Sequence, residues 1–381
     1  MKYSKTLAAV CTALFALVSA TGIAAQENVG SSAAYIYVSN SSNNHSQIYA
    51  YSAAGNGQLT PITGSPFPTS GITAMALNEK WLFGTNGVNL YSFSIASGGA
   101  LHQVSSVNAQ IHNDPGNCGG PISLFLDHTG STLYDGDIYA NICANNGYQY
   151  WGLDQHNGAL SFSGLNPSFT VQYGQPLSFI ANNQYAYGGA CYHGTPDIFG
   201  FKRNGNGTLT ALNINPELPP ASQGEYCPNL AAADPSNHIA ISLTPVDDLT
   251  QVGPPQIGVY TADNSGNLTT HSTAANMPMS SVSNVQAMSM APSGALLAVG
   301  GSAGLQVFHF NGANPATEYT GLLTNDSISQ VFWDKENHLY ALSTPGNKLF
   351  VFTVTTTTYS QAPGSPYTIT SPQSLIVLPK S

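Results

Sequence analysis

The sequence predicts an all-β protein, and within that class a seven-bladed β-propeller of four-stranded antiparallel blades. Charged residues make up only 7% of the 381 residues, against about 25% in an ordinary soluble domain. Asn, Ser, Thr, Gly, Pro and Tyr take their place, and these residues favour strands and turns over exposed helices. One sequence phrase also recurs seven times along the chain. Together these observations favour a repeat architecture built from strands.

The recurring phrase is a short aromatic run, as in QIYAYSA (47–53), followed in most copies by a glycine-centred turn, as in GNGQLT (55–60). Gly or Asn supplies the positive φ that a tight hairpin needs, so each copy predicts the third and fourth strands of a blade. The last two turns, GANPATE (312–318) and TTTTYS (355–360), depart from the pattern. The other aromatic runs are NLYSFSI (89–95), QYWGLDQ (149–155), DIFGFKR (197–203), QIGVYTA (256–262), GLQVFHF (304–310) and KLFVFTV (348–354).

The first two strands of each blade lie upstream of the aromatic run. YIYVSN (35–40) is the first example of a second strand, and ITAMALN (72–78) is the first example of a first strand. The first repeat has no first strand of its own, and QSLIVLP (373–379) supplies one from the other end of the chain. This arrangement closes the ring and removes a free sheet edge. A seven-stranded sandwich is the alternative, but it would not need so many strands in this fixed order.

The N-terminus predicts an export signal over residues 1–25, followed by a single propeller domain over 26–381. Lys2 and Lys5 precede the apolar run TLAAVCTALFALVSA (6–20), and small residues follow at Ala24 and Ala25. A transmembrane anchor is the alternative, but the run is short and no charged stop follows it. We therefore expect a periplasmic or extracellular protein without membrane insertion.

Composition also limits the partners. The formal net charge is −10 and no basic patch is present, so nucleic acid and anionic membrane are poor partners for this surface, and we expect neither nucleic-acid binding nor membrane insertion. We expect a monomer that binds a small-molecule lactone or a carbohydrate. No cofactor is expected; the alternative is Ca²⁺ held by the carboxylates of Asp137, Asp247 and Asp248.

Four cysteines follow the leader: Cys118, Cys143, Cys191 and Cys227. An even number in an exported chain predicts disulfides, with three connectivities available. Strand alternation places all four on the face that carries the links from second to third strands and from blade to blade, which we name the upper face. The glycine turns lie on the opposite, lower face. Cys118–Cys143 within one blade and Cys191–Cys227 between blades is the pairing that this geometry favours. Free thiols with a metal or catalytic role are the alternative, although zinc would need further ligands.

The longest predicted loops also open on the upper face, where binding residues usually lie on a rigid scaffold. They bring acids and histidines, which are scarce in this chain, to one rim. Each residue also has a structural interpretation, such as a turn at Asp114 before Pro115. The candidates are His112, Asp114, Asp135, Asp137, His193, Glu225, Tyr226, Asp247 and Asp248.

Three segments resemble the secreted bacterial lactonase-like β-propellers, which are related to 6-phosphogluconolactonase and to the carboxymuconate cycloisomerase. They are YIYVSN (35–40), GQLTPITGSPFP (57–68) and APSGALLAVGG (291–301). The resemblance covers nearly the whole chain after the leader and implies the propeller fold and a lactonase-type activity. Both related enzymes act on anions, which favours Arg or Lys in the pocket. Here the single arginine, Arg203, falls at the lower-face end of its predicted strand. We therefore expect an uncharged substrate.

The enzymatic hypothesis is hydrolysis of a lactone or sugar-derived ester in an upper-face pocket. This reaction needs a base that activates water and a group that stabilises the oxyanion. The catalytic candidates are His193, Glu225 and Asp137, and the substrate-binding candidates are His112, Asp114, Tyr226 and Asp135. The alternative is a non-catalytic envelope or extracellular module that binds a glycan or protein on the same face, for which the Tyr- and Asn-rich segment ANNGYQYW (144–151) is suited.

Overall fold

A computed structural model describes residues 32–41, 46–109, 121–137, 148–166, 175–192, 195–214, 216–248 and 250–380. These residues contain 31 strands and no helix, so none of them forms a helix that could cross a membrane. The strands form seven antiparallel sheets with four principal strands each. The prediction of an all-β, seven-bladed propeller is therefore confirmed.

The blades follow one another along the chain. Blade 1 contains β1 (Ala34–Asn40), β2 (Gln47–Ala53), β3 (Leu59–Pro61) and β4 (Phe67–Pro68); blade 2 contains β5 (Ala74–Leu77), β6 (Trp81–Thr85), β7 (Asn89–Ile95) and β8 (Leu101–Asn108); blade 3 contains β9 (Pro121–Leu126), β10 (Thr132–Asp137), β11 (Tyr148–Leu153) and β12 (Leu160–Leu165); blade 4 contains β13 (Ser178–Phe179), β14 (Tyr185–Tyr192), β15 (Thr195–Arg203) and β16 (Leu209–Ala211).

The second half of the ring has the same order. Blade 5 contains β17 (Glu225–Ala233), β18 (His238–Asp247), β19 (Thr250–Gln251), β20 (Gln256–Ala262) and β21 (Leu268–Thr270); blade 6 contains β22 (Val285–Met290), β23 (Leu296–Gly301), β24 (Gly304–Asn311) and β25 (Asn314–Glu318); blade 7 contains β26 (Gln330–Trp333), β27 (His338–Ser343), β28 (Lys348–Val354), β29 (Tyr359–Gln361) and β30 (Tyr367–Thr368); β31 (Pro372–Pro379) returns to blade 1.

The ring closes as the sequence predicts. β31 pairs antiparallel with β1, with Ala34 opposite Pro379 and Val38 opposite Leu375. Apolar side chains fill the spaces between neighbouring blades, as where Ile36 and Val377 of blade 1 pack with Val351 of blade 7 in one buried cluster. The hydrophobic core is therefore divided among the seams between blades.

The glycine turns pack against the neighbouring blade. In blade 2, Gly99 has a φ of 82° and lies against Tyr35 of blade 1. The hydroxyl of Tyr37 donates a hydrogen bond of 2.9 Å to the Gly99 carbonyl. A Cβ at Gly99 would lie 2.6 Å from Ile62 Cδ1, so only glycine fits this approach. The same contact recurs around the ring, at Gly57 with His338, Gly158 with Trp81, Gly207 with Thr132, Gly266 with Tyr185 and Gly312 with His238.

The repeated Gly-Ser-Pro-aromatic phrase interrupts the fourth strand of blades 1 and 7. Ser65 Oγ accepts a hydrogen bond of 2.8 Å from the Ala50 amide, and Ser365 Oγ accepts one of 2.9 Å from Val351. A cis proline follows each serine, and the strand then resumes as β4 or β30. The serine hydroxyl keeps the third strand's amide paired where the fourth strand is broken.

The lower face contains carboxylates held by local partners. Arg203, at the end of β15, forms an ion pair with Asp127, and both side chains are buried between blades 3 and 4. The expected lower-face position of Arg203 is thus confirmed. Burial raises the pKa of Asp234, but hydrogen bonds from Ser236 and His238 outweigh this and leave the pKa below its ordinary value. These acids stabilise the turns that join first and second strands.

Candidate functional site

The innermost strands surround a central cavity of about 550 Å³. Each of these strands runs from the upper to the lower face, so the residues that come early in a strand lie near the upper opening. Ser329, Gln330 and Ser374 make that end polar, whereas Leu77 and Leu126 lie towards the lower end. The cavity is therefore polar at its upper mouth and more apolar below.

The described lining offers contacts for a ligand but little catalytic chemistry. It contains no histidine, lysine or arginine, and Asp127 is its one charged residue. Because Asp127 is already paired with Arg203, its charge is neutralised at the lower end. Within the described residues, reactive groups must therefore come from the rim above the cavity.

Amide side chains fix this rim between blades 4, 5 and 6. Gln175 Nε2 donates a hydrogen bond of 3.0 Å to Asn229 Oδ1. Asn229 Nδ2 donates in turn to the Val285 carbonyl at 3.1 Å. Three neighbouring blades are thus joined at the upper mouth by one short chain of hydrogen bonds, which makes this part of the rim a rigid support.

Two of the predicted site residues lie inside blades. Asp135 is fully buried in β10, where Trp151 Nε1 donates to Oδ2 at 2.6 Å and Gln149 Nε2 donates to Oδ1 at 3.2 Å. Tyr226 is 2% exposed and its hydroxyl donates to Gln256 Oε1. Both side chains make structural hydrogen bonds inside their blades, and neither is part of the site that we propose below.

Other predicted residues lie on the surface of blade 5. Glu225 begins β17, is exposed, and is paired in register with Val246 of β18. Asp247 and Asp248 are exposed at the β18–β19 turn beside it. The structure therefore brings these three acids to one corner of the upper rim. No group of three potential metal ligands occurs among the described residues, and the calcium alternative stays a prediction.

Several predicted residues fall outside the part of the chain that the structure describes. His112, Asp114, Cys118, Cys143 and His193 belong to this group, as does the side chain of Asp137. His193 stands in the sequence between Tyr192 and Thr195, which pair with each other in the β14–β15 hairpin. The roles predicted for these residues stay predictions.

Asp197 is a candidate that the sequence reasoning missed. It is partly buried near the upper end of β15, and burial raises the pKa of its carboxyl above the ordinary value. No hydrogen bond or ion pair joins it to another described residue. An acid with a perturbed pKa at a rim is a recognised indication of a functional site.

The sequence did carry a signal for Asp197. The same position of the aromatic run holds Gln149 in blade 3 and Gln256 in blade 5. In blade 5, Gln256 Nε2 donates to the carbonyls of Ala274 and Met277 at 3.2 and 3.0 Å and so fastens the link to the next blade. The side chain of an ionised aspartate has no N–H group and cannot donate these hydrogen bonds. Blade 4 therefore differs from blades 3 and 5, because Asp197 stands where they have a glutamine that makes structural hydrogen bonds.

The upper rim has little free positive charge. Lys348 begins β28 and is its only described basic residue, and Nζ lies 2.7 Å from Asp326 Oδ2. The other described bases, Lys80, Lys202, Arg203, Lys335 and Lys380, lie at lower-face turns or strand ends. An anionic ligand at the upper mouth would therefore meet mainly carboxylates.

Comparison with solved structures identifies the architecture. A Bacteroides fragilis protein described as a "putative 6-phosphogluconolactonase" matches with a TM-score of 0.66 and 14% identity, covering 91% of this chain and 98% of that one. The periplasmic gluconolactonase PpgL of Pseudomonas aeruginosa matches with a TM-score of 0.62 and 13% identity, covering 91% and 99%. The chain therefore shares its β-propeller fold with proteins described as lactonases. A Bacteroides uniformis protein, also described as a "putative 6-phosphogluconolactonase", matches with a TM-score of 0.63 and 13% identity, covering 91% of this chain and 99% of that one. No family model and no curated protein matches the sequence.

Proposed function

We propose that the protein is an exported lactonase that hydrolyses an uncharged lactone or sugar-derived ester at its upper face. The fold shared with two described 6-phosphogluconolactonase-like proteins and with PpgL supports the reaction class. The observation that carries the proposal is Asp197, a partly buried acid with a raised pKa on the same hairpin as His193. Export is supported by the predicted leader and by the description of PpgL as a periplasmic protein.

The reaction requires two proton transfers. Water loses a proton as its oxygen attacks the lactone carbonyl carbon, and the ring oxygen gains a proton as its bond to that carbon breaks. His193 and Glu225 are the proposed bases for the first transfer, with Asp137 as the remaining candidate. Asp197 is the proposed donor for the second, because a raised pKa keeps a carboxyl protonated to higher pH. The rim amides around Asn229 support substrate binding beside these groups.

The charges select the substrate class. Arg203 is buried against Asp127, and Lys348 is held by Asp326. Phosphate or carboxylate recognition normally relies on free Arg or Lys. The proposed substrate is accordingly neutral, in contrast to the phosphorylated compound that the name 6-phosphogluconolactonase implies.

The test is proton release during hydrolysis of a panel of neutral sugar lactones and their phosphorylated counterparts. We expect turnover of neutral lactones, with a loss of about 10²–10⁴-fold in kcat/KM in His193→Ala and Asp197→Asn. Asp154→Asn, which alters an exposed lower-face carboxylate, is the matched control and should retain full activity. A panel with no turnover would overturn the proposal, and ligand-induced thermal stabilisation without turnover would favour the non-catalytic binding module.

A further inference from the structure

Two cysteines from different blades meet at the upper rim. Cys191 lies in β14 of blade 4 and Cys227 in β17 of blade 5, and both are partly exposed thiols. The thiols are in hydrogen-bonding contact, and burial, together with this contact, raises the pKa of Cys227. β14 and β17 belong to separate sheets, so no backbone ladder accounts for the contact.

Gly189 explains how the two strands come so close. A Cβ at this position would lie 2.6 Å from the Asn229 carbonyl oxygen and 2.9 Å from the Pro228 Cβ. Because side chains two residues apart in a strand share a face, Gly189 and Cys191 both face β17. The missing side chain lets the backbones approach and brings Cys191 to Cys227.

Asn229 fixes the partner strand in this position. It is held by Gln175 before β13 and by the Val285 carbonyl in blade 6. Asn229 is two residues beyond Cys227, just as Gly189 is two residues before Cys191. The two thiols are thus held at a built contact between rigid strands.

We propose that Cys191 and Cys227 form an oxidisable dithiol that locks blade 4 to blade 5 at the edge of the candidate site. A thiolate of the pair attacks a small disulfide oxidant such as oxidised glutathione, forming a mixed disulfide and releasing one thiol. The second cysteine then attacks the mixed disulfide, forms the Cys191–Cys227 bond and releases the second thiol. Two protons leave the protein thiols and two electrons pass to the oxidant, which is reduced to two thiols.

The disulfide would constrain the part of the upper rim where the candidate residues lie. Glu225 is two residues before Cys227, and the 193–194 link begins two residues after Cys191. Covalent closure therefore fixes the spacing between the β14–β15 hairpin and the first strand of blade 5. This inference concerns a covalent bond and does not depend on lactone turnover.

The first test maps the bond in the wild-type protein. Reduced protein is equilibrated with oxidised glutathione, remaining thiols are alkylated, and the protein is digested without reduction. We expect a linked pair of peptides containing Cys191 and Cys227, lighter by two hydrogens than the sum of the reduced peptides and separated by dithiothreitol. Alkylation of both cysteines, or their linkage to Cys118 or Cys143, overturns the proposal.

The second test measures thermal stability. Oxidation should raise Tm by about 5 °C, because the Cys191–Cys227 bond reduces the entropy of the unfolded chain. The value is the loop-closure free energy for this loop divided by the unfolding entropy of a chain of this size. Cys191→Ser with Cys227→Ser should abolish this shift while leaving Cys118 and Cys143 in place. Gly189→Ala should slow formation of the bond because it separates the strands. An equal shift in the double serine variant overturns the proposal.

Discussion

The contact of Gly99 with blade 1 gives a specific prediction about what stabilises the packing between blades. Gly98 and Gly99 are adjacent in one turn, yet a Cβ at Gly98 would have no atom within 4 Å, whereas a Cβ at Gly99 would lie 2.6 Å from Ile62 and 2.9 Å from Tyr35. Gly99 alone of the two has a left-handed φ, of 82°. We expect Gly99→Ala to weaken the seam between blades 1 and 2 and Gly98→Ala to leave it intact.

The magnitude follows from two terms. A left-handed backbone costs a residue with a Cβ about 1–2 kcal/mol. Displacing the buried Ile62 and Tyr35 side chains adds about 1–3 kcal/mol of overpacking. Gly99→Ala should therefore lower the free energy of unfolding by about 2–5 kcal/mol. Gly98→Ala should change it by less than about 0.5 kcal/mol.

Thermal unfolding followed by intrinsic fluorescence measures both variants under identical conditions. With an unfolding entropy of about 2.1 cal/mol/K per residue, the Gly99 variant should melt about 3–7 °C below wild type. Equal melting temperatures for the two alanine variants would refute the reasoning, because the exposed glycine carries neither the contact nor the positive φ. A loss confined to Gly98→Ala would refute it more directly.

Three further predictions concern charged groups. The lowered pKa of Asp234 means that its stabilisation is full above the unfolded value of about 3.9 and is lost as pH falls through the lower folded value; unfolding measured between pH 5 and 3 should therefore depend less on pH in Asp234→Asn. Arg203→Ala leaves the buried carboxylate of Asp127 unpaired and should cost about 3–5 kcal/mol in denaturant unfolding, so an unchanged midpoint would contradict the ion pair. Asp326→Asn releases Lys348 at the upper face and should raise kcat/KM for a carboxylated lactone relative to its neutral analogue; an unchanged ratio would place Lys348 outside the substrate's reach.

Most of the architecture could be predicted from the sequence, because the aromatic strand repeats in every blade and the glycine turn repeats in most of them. The ring closure followed from one missing strand in the first repeat, and β31 supplies it. Details set by packing could not be predicted. The first strand of blade 4, β13, has only two residues, whereas GANPATE, which departs from the turn pattern, still contains the regular strand β25.

The candidate site was less accessible to sequence reasoning. The sequence predicts Asp135 and Tyr226 at the rim, but both side chains are buried inside blades: Asp135 lies within β10, and β17 begins at Glu225 and so includes Tyr226. Asp197 was overlooked because it sits within a repeated strand. Asp197 is a candidate because it is partly buried and because blades 3 and 5 have a glutamine at the same position. Its burial depends on contacts between distant parts of the chain, which the sequence does not reveal.

The closure of blade 1 has a consequence for how the molecule is made. β1 cannot complete its sheet until β31, at Pro372–Pro379, has been synthesised and delivered. The ring is therefore closed by a contact between the first and the last of the described strands, and a fold that depends on such a distant contact forms slowly. Until then the edge of β1 is open to other strands. If the protein is exported as we propose, this delay would keep the propeller open until β31 has also crossed the membrane.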